Sequence, residues 1–204
     1  MVQSYDGIIE EKNAWDDRAR TIQDDIELRG TLKNPIKQVN KSRKAIYKIF
    51  RKSQKRRLLL DIGCGNGLFT VPLTELFDFV VGVDLSKAMM KRCREKRENL
   101  NFILASATDL PLKSGVFDAV ISLSVLEYIK PKSNIEKTLK EISRVTTNNS
   151  AIFLTFWDAP NSPTKLIKNL LKKEGFKLKQ SLISKFQFTR LNFTKYVKLY
   201  GYRS

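Results

Sequence analysis

The sequence predicts a doubly wound α/β domain. Its three layers, α/β/α, surround a seven-stranded, mostly parallel sheet that ends in a C-terminal antiparallel hairpin. Three observations carry this. Short apolar runs alternate with helix-like stretches from residue 58 to residue 175, the pattern of βα units that feed a parallel sheet. The first run, Leu58-Leu-Leu-Asp61, leads into a glycine-rich loop, Gly63-Cys-Gly65-Asn-Gly67. After Gly175 the alternation stops, and two strand-like stretches, about 176–187 and 191–200, follow each other across a short turn.

The elements follow in order. The residues before the sheet, 1–55, read as a helical segment, above all 35–52, where Asn34-Pro35 marks a start. Leu58 to Asp61 is short and wholly apolar up to its acid, as suits a strand buried on both faces. A helix is expected over Leu68 to Phe77, with Pro72 near its first turn, where proline is tolerated. Phe79 to Val83 forms a second buried strand ending at Asp84, and Ser86 caps a helix from Lys87 to about Arg97. Asn101 to Leu104 and Phe117 to Ile121 are the third and fourth strands. Ser133 followed by Glu136 has the capping-box spacing, opening a helix to about Val145 that Asn148-Asn149 breaks. Ala151 to Phe156 is the fifth strand. Ser162-Pro163 reads as an N-cap with proline at the first helical position, and Gly175 closes that helix. The α/β domain is thus expected over 56–204, with right-handed crossovers.

Composition narrows the chemistry. At 204 residues the chain is long enough to bury one proper core. No apolar run reaches the roughly 20 residues that cross a bilayer. The start, Met1-Val-Gln-Ser-Tyr5-Asp, lacks the basic and apolar regions of a secretory signal, so a cytoplasmic protein without membrane attachment is expected. Histidine is absent, which removes His-based triads, His metal ligands and His acid–base chemistry. Two cysteines, Cys64 and Cys93, cannot by themselves make a disulfide framework or a four-ligand zinc site, and no metal is expected. The net charge of +17 is unevenly spread. Residues 1–32 carry eight acids and four bases, 33–57 eleven bases and no acid, 58–159 twelve of each, and 160–204 eleven bases against Glu174 alone. The basic segments 33–57 and 160–204 are either solvated lysine-rich surface or an anion-attracting face for nucleic acid or an acidic partner.

The glycine-rich loop carries the chemistry. A glycine without Cβ lets backbone approach a ligand closely, and the helix start behind the loop offers free N–H groups to an anion. Asp84 ends the next strand about twenty residues on, where a carboxylate can accept both hydroxyls of a ribose. The dinucleotide fingerprint G-x-G-x-x-G would need a third glycine where Leu68 stands, which disfavours a dinucleotide-dependent oxidoreductase. The spacing is instead D-x-G-x-G-x-G. It resembles motif I of the class I S-adenosylmethionine-dependent methyltransferases, whose fold is Rossmann-like. Val81-Gly-Val-Asp84-Leu-Ser86 resembles the second motif of that family, Ala105-Ser-Ala-Thr-Asp109-Leu-Pro111-Leu the third, and Phe117-Asp118 through Glu127-Tyr128 the fourth. The closing hairpin is also typical of it. The resemblance covers roughly residues 55–204 and points to the subgroup that includes ubiquinone and menaquinone biosynthesis methyltransferases.

The resemblance implies S-adenosyl-L-methionine as cofactor and assigns roles. Gly63, Gly65 and Gly67, with Cys64 between them, line the methionine and ribose side. Asp61 lies near the cofactor amino group, Asp84 holds the ribose hydroxyls and Leu85 packs on the adenine. Ser106 and Ala107 stand where the family often places an acid against the adenine amino group. Ser122 and Leu123 edge the reaction centre. Residues 1–55 are expected to cap the cofactor site, Tyr5 and Trp15 facing either the cofactor or plain packing. Glu127 and Tyr128 face either substrate or helix packing. Asp118 is expected to make local hydrogen bonds, Cys64 to act as small filler and Cys93 as an inert thiol. Methyl transfer from a sulfonium needs chiefly alignment, so the missing histidine is compatible with it, and no catalytic residue is assigned. The expected function is methyl transfer to an unidentified acceptor, a small molecule. The alternatives are an RNA or protein substrate docked through 33–57 and 160–204, and a non-catalytic binding module that keeps the fold. No Asn/Asp-Pro-Pro-Tyr motif or Pro-Cys nucleophile is present, which argues against adenine-N6 and cytosine-C5 chemistry.

Overall fold

Successive residues of a strand face opposite ways, and in the central strands both faces are apolar. The computed structural model describes residues 3–22, 35–51, 57–95, 100–158, 163–186 and 194–203. In β1 (Leu58–Ile62), Leu59 joins a core cluster with Ile46 and Phe50 of α2 (Pro35–Phe50), Leu73 of α3 (Thr70–Leu73) and Cys93 of α4 (Lys87–Arg94). Leu60 and Ile62 join another, with Ile135, Leu139 and Ile142 of α5 (Lys132–Val145) and Ile167 and Leu171 of α6 (Thr164–Lys173). β4 (Phe117–Leu123) and β5 (Thr146–Asp158) divide likewise: Val120, Ile152 and Leu154 go to the second cluster, Ala119, Ile121 and Phe153 to the first. Each large side chain buried this way stabilises by about 1.5–3 kcal/mol. The outcome is helices on both faces of one sheet.

The strand order is β3-β2-β1-β4-β5-β7-β6, with β2 spanning Phe79–Asp84, β3 Asn101–Leu104, β6 Phe176–Phe186 and β7 Thr194–Arg203. β1 through β5 pair in parallel, and β7 runs antiparallel to both β5 and β6. The chain builds outward from β1 through β2 to β3, then restarts at β4 on the other side of β1. That reversal opens a crevice beyond the C-terminal ends of β1 and β4, where open α/β sheets bind ligands.

Several local expectations are corrected. The helix expected over Leu68–Phe77 is four residues long, because the chain tightens after Pro72: Thr74, Glu75 and Leu76 donate to carbonyls three residues back. α5 starts at Lys132, so Ser133 sits inside it and makes no capping box. Pro131 takes the N-cap, Asn134 Nδ2 donates to the Lys130 carbonyl at 2.8 Å, and Glu136 pairs with Lys140 instead. α5 ends at Val145, three residues before Asn148, and β5 begins at once. Asn149, at φ 67°, lies within the strand, in the left-handed region that asparagine tolerates better than most residues. Pro163 is the N-cap of α6, and Ser162 lies outside the described residues. Gly175, at φ 87°, ends α6 as expected, its N–H donating to the Lys172 carbonyl.

One ion pair holds the loop after β3 against α5. Arg144 grips Glu141 with Nε and Nη2 at 2.7 and 2.8 Å, and donates to the carbonyls of Leu110 and Leu112 at 2.9 and 2.7 Å. Glu141 in turn accepts the Leu110 N–H at 2.7 Å. The Arg144 guanidinium is the main reason the Glu141 carboxyl lies below its ordinary value. Its stabilisation is therefore complete above the ordinary glutamate range and is lost as pH falls through the lowered value. Arg144→Ala should cost about 2–3 kcal/mol at neutral pH, since charged hydrogen bonds are broken and loop carbonyls are left unpaired. Urea denaturation should show a lower midpoint at unchanged slope, and a smaller deficit below pH 4; a neutral-pH loss under about 0.5 kcal/mol would remove the clamp from this account.

Candidate functional site

The loop from Gly63 to Gly67 is built onto β2 by its own backbone. The N–H groups of Gly63 and Cys64 both donate to the Val83 carbonyl, at 2.7 and 3.0 Å. The next residue, Asp84, closes the join: its Oδ2 accepts the Gly65 N–H at 2.7 Å and its Oδ1 the Ser86 N–H at 2.8 Å. Burial pushes the Asp84 carboxyl above its ordinary value, against the pull of the backbone N–H groups of Ser86, Gly65 and Leu85. Gly65 has φ 52°, and a Cβ built there would meet no atom within 4 Å; its open side is the cleft. Gly67, at φ 76°, differs. A Cβ there would stand 2.1 Å from Cys93 Sγ, so its glycine is required by packing against α4.

A second acid fastens α1 (Gln3–Thr21) over this end of the sheet. Asp16 Oδ1 accepts Ser86 Oγ at 2.5 Å and the Ala88 N–H at 3.0 Å, and its Oδ2 accepts Lys12 Nζ at 3.1 Å. Burial raises this carboxyl, but those hydrogen bonds together outweigh it and hold Asp16 below its ordinary value. Ser86 Oγ also caps α4 through the Met89 N–H at 3.1 Å. Arg92 of α4 reaches the carbonyls of Ala19 and Ile22 at the end of α1. With α1 so placed, Ile8, Glu11 and Trp15 form one wall of the cleft. Tyr128, Ile129 and Lys130 stand on another, and the Trp15 and Tyr128 rings meet edge to face at 5.3 Å.

Of the expected site residues, Asp61, Gly63, Cys64, Gly65, Asp84, Leu85, Ser106 and Ala107 line this single cleft. Asp61 is buried and accepts Thr70 Oγ1 at 2.6 Å. Ser106 Oγ is 2.8 Å from Thr108 Oγ1, which also lines the cleft. Gly67 and Ser122 are not on its wall. Gly67 turns toward Cys93, and the alternation of β4 sends the fully buried Ser122 into the interior. Leu123, Ser124 and Val125 take that place on the wall, Ser124 at φ 59° with its N–H donating to the Thr155 carbonyl. Such backbone outliers cluster at functional sites. Asp118, expected to bond locally, instead accepts the N–H of Leu58 on the neighbouring β1 at 3.2 Å. Burial, with Asp84 and Asp61 nearby, pushes the Cys64 thiol well up, so it stays protonated and unreactive. The Tyr5 side chain lies outside the described residues. Glu11 and Ile8 escaped the sequence reading; the signal that would have found them is their spacing from Trp15, one face of a helix.

Residues 60–154 match a family model described as a methyltransferase domain. The chain is 30% identical over 110 residues to the tRNA (carboxymethyluridine(34)-5-O)-methyltransferase of Arabidopsis thaliana, a stretch that is 54% of this chain and 26% of that protein. It is 32% identical over 104 residues to the malonyl-(acyl-carrier protein) O-methyltransferase of Legionella pneumophila, 48% of this chain and 36% of that one. The chain thus spans only 26% and 36% of the length of these two curated relatives. Among solved structures, the magnesium protoporphyrin IX methyltransferase of Synechocystis with bound SAM shares the fold, with a TM-score of 0.73 at 19% identity over 97% of each chain. Over residues 60–154 the chain is thus similar to a methyltransferase domain, in agreement with the resemblance carried by its motifs.

Gly67→Ala should lower stability by about 2 kcal/mol or more, because the new Cβ clashes with Cys93 Sγ and the backbone angle disfavours a side chain. Adding Cys93→Ala should recover part of the loss. Thermal denaturation of the two single variants and the double variant measures this coupling, and strictly additive losses would mean that Gly67 does not pack on Cys93.

Proposed function

We propose that this methyltransferase-family chain binds S-adenosylmethionine in the cleft beyond β1, β2 and β4, and transfers its methyl group to a small-molecule acceptor. The observation that carries the reading is the Asp84 carboxylate, placed at the end of β2 and bonded to Gly65 across the loop. It stands where one ribose would be held by its hydroxyls, beside a Gly65 whose open face leaves room for the ligand. Gly63, Cys64 and Gly65 would face the methionine and ribose portion and Asp61 the amino group. Leu85, Ser106 and Ala107 would line the adenine. When bound, the cofactor supplies an electrophilic methyl group; the protein's part is to hold it, align the acceptor and exclude water. α1 serves as the cap over the site, fastened by Asp16. We read the antiparallel pair β6–β7 as the closing hairpin of this fold.

The acceptor is read as small because the cleft is walled by Ile8, Trp15 and Tyr128 close above the glycine loop. A specific observation favours a second reading, RNA. α2 carries Arg43, Lys44 and Lys48 with no acid in its first turn, Arg51 follows it, and the Arabidopsis thaliana relative is named for tRNA. Among the described residues, no helix is long and apolar enough to cross a membrane.

Titration calorimetry with S-adenosylhomocysteine tests the cofactor site. Asp84→Ala should weaken binding by about a hundredfold, roughly 2.7 kcal/mol; affinity within threefold of the unaltered protein would overturn the ribose role. For the RNA reading, four phosphate contacts predict that tRNA affinity falls about a hundredfold between 50 and 200 mM salt. A flat response returns α2 to solvated surface and leaves the small-molecule reading alone.

A further inference from the structure

We infer that Glu11 is the acceptor anchor of the cleft: its carboxylate, beside Trp15 and Tyr128, receives a protonated amine, so that the group methylated is an amino nitrogen. The inference rests on the methyl-transfer reading and names its substrate class. Three carboxylates line the cleft, those of Glu11, Asp61 and Asp84. Asp61 is bonded to Thr70, and Asp84 to Gly65 and Ser86. Glu11 is different: its Oε1 is buried and has no hydrogen-bond partner among the described residues. Five residues on, Asp16 shows how the same helix satisfies an acid that serves the fold, with three donors gathered round it. Among the described residues no such set surrounds the Glu11 Oε1, and an unpaired buried acceptor of this kind costs about 1–3 kcal/mol.

What would complete it follows from its surroundings. Burial pushes the Glu11 carboxyl up to about 7, with the exposed Lys130, the charged group facing it from the loop after β4, pulling the other way. A carboxylate acceptor would meet repulsion here, and a neutral hydroxyl would leave the aromatic walls unused. An ammonium satisfies the buried oxygen, and its apolar part packs on Trp15 and Tyr128, which line the same cleft. The chain has no histidine to take a proton in its place. Glu11 then accepts one proton from the ammonium. The freed nitrogen lone pair forms the N–C bond to the sulfonium methyl as the C–S bond breaks, its electron pair leaving on sulfur. The methylated ammonium departs, and the proton on Glu11 passes to water.

The probes are 2-phenylethylammonium and phenylacetate, titrated by calorimetry into protein loaded with S-adenosylhomocysteine. The ammonium should bind and phenylacetate should not. At pH 7 binding should release about half a proton, read from the dependence of the heat on buffer ionisation, because Glu11 is half protonated before the cation arrives. Glu11→Gln should weaken ammonium binding at least tenfold and abolish the proton release while S-adenosylhomocysteine affinity is kept, which also reports that the variant folds. Glu11→Asp should restore part of the binding. Absent ammonium binding, binding indifferent to Glu11→Gln, or tighter binding of phenylacetate would overturn the inference. Failure of the unaltered protein to bind S-adenosylhomocysteine would overturn the methyl-transfer reading instead, and the same titrations on unloaded protein would then decide the role of Glu11.

Discussion

Everything at the mouth of the sheet hangs on one carboxylate held between two backbone amides. Asp84 accepts from Gly65 in the loop after β1 and from Ser86 at the start of α4. It thereby fixes the spacing between two strand ends that only parallel pairing would otherwise relate. Ser86 extends the bond sequence through its hydroxyl to Asp16, and so brings α1 under the same control. Two acids near one another would ordinarily repel, and Asp16 does raise Asp84. The conflict is resolved by an uneven division of donors. Asp16 is driven below its ordinary value and serves the fold, while Asp84 is driven above it by burial at the edge of the cleft.

The sequence made legible what short-range chemistry specifies. The loop glycines, the acid after β2 and the Ser86 cap each depend on residues within a few positions, and each stands where the pattern placed it. The strands were legible for the same reason, since four or five apolar residues before a turn have few other uses in a chain of this composition. What failed was decided by contacts distant in sequence. The packing of Gly67 against Cys93, on another helix, lies outside the reach of the loop pattern. Ser122 looked like a reaction-edge residue until the pleat of β4 fixed its side. The capping-box spacing at Ser133 was overridden by Pro131 and Asn134, whose joint hold on the start of α5 the spacing rule does not contain.

Charge shows the same division. The excess of bases in the whole chain says little, but the acid-rich first segment has a local use. α1 lies against α4, whose Lys87, Lys91, Arg92 and Arg94 make it strongly basic, and Arg92 completes the contact by taking carbonyls at the end of α1. The docking is thus partly hydrogen bonding through Asp16 and Arg92 and partly a small apolar cluster in which Ala19 and Met89 meet, with Trp15 packed beside them. A helix attached mainly by hydrogen bonds and a small cluster contributes less to stability than one sunk in the main core, and such elements open at lower free energy.

The two sides of the cleft therefore differ in kind. The cofactor side is made by loops that follow consecutive strands, so its geometry comes with the fold and is common to any chain that keeps the glycine spacing and the acid. The other side, where we propose that the acceptor is received, is made by α1 and by the segment after Ser124, two stretches more than a hundred residues apart that meet through Trp15 and Tyr128. On α1, Asp16 and the apolar cluster with Ala19 and Trp15 hold the helix down. Substitution there changes what is received without disturbing what delivers the methyl group. On that side the half-buried Glu11, one of whose oxygens has no partner among the described residues, is the acid that a ligand in the cleft would complete.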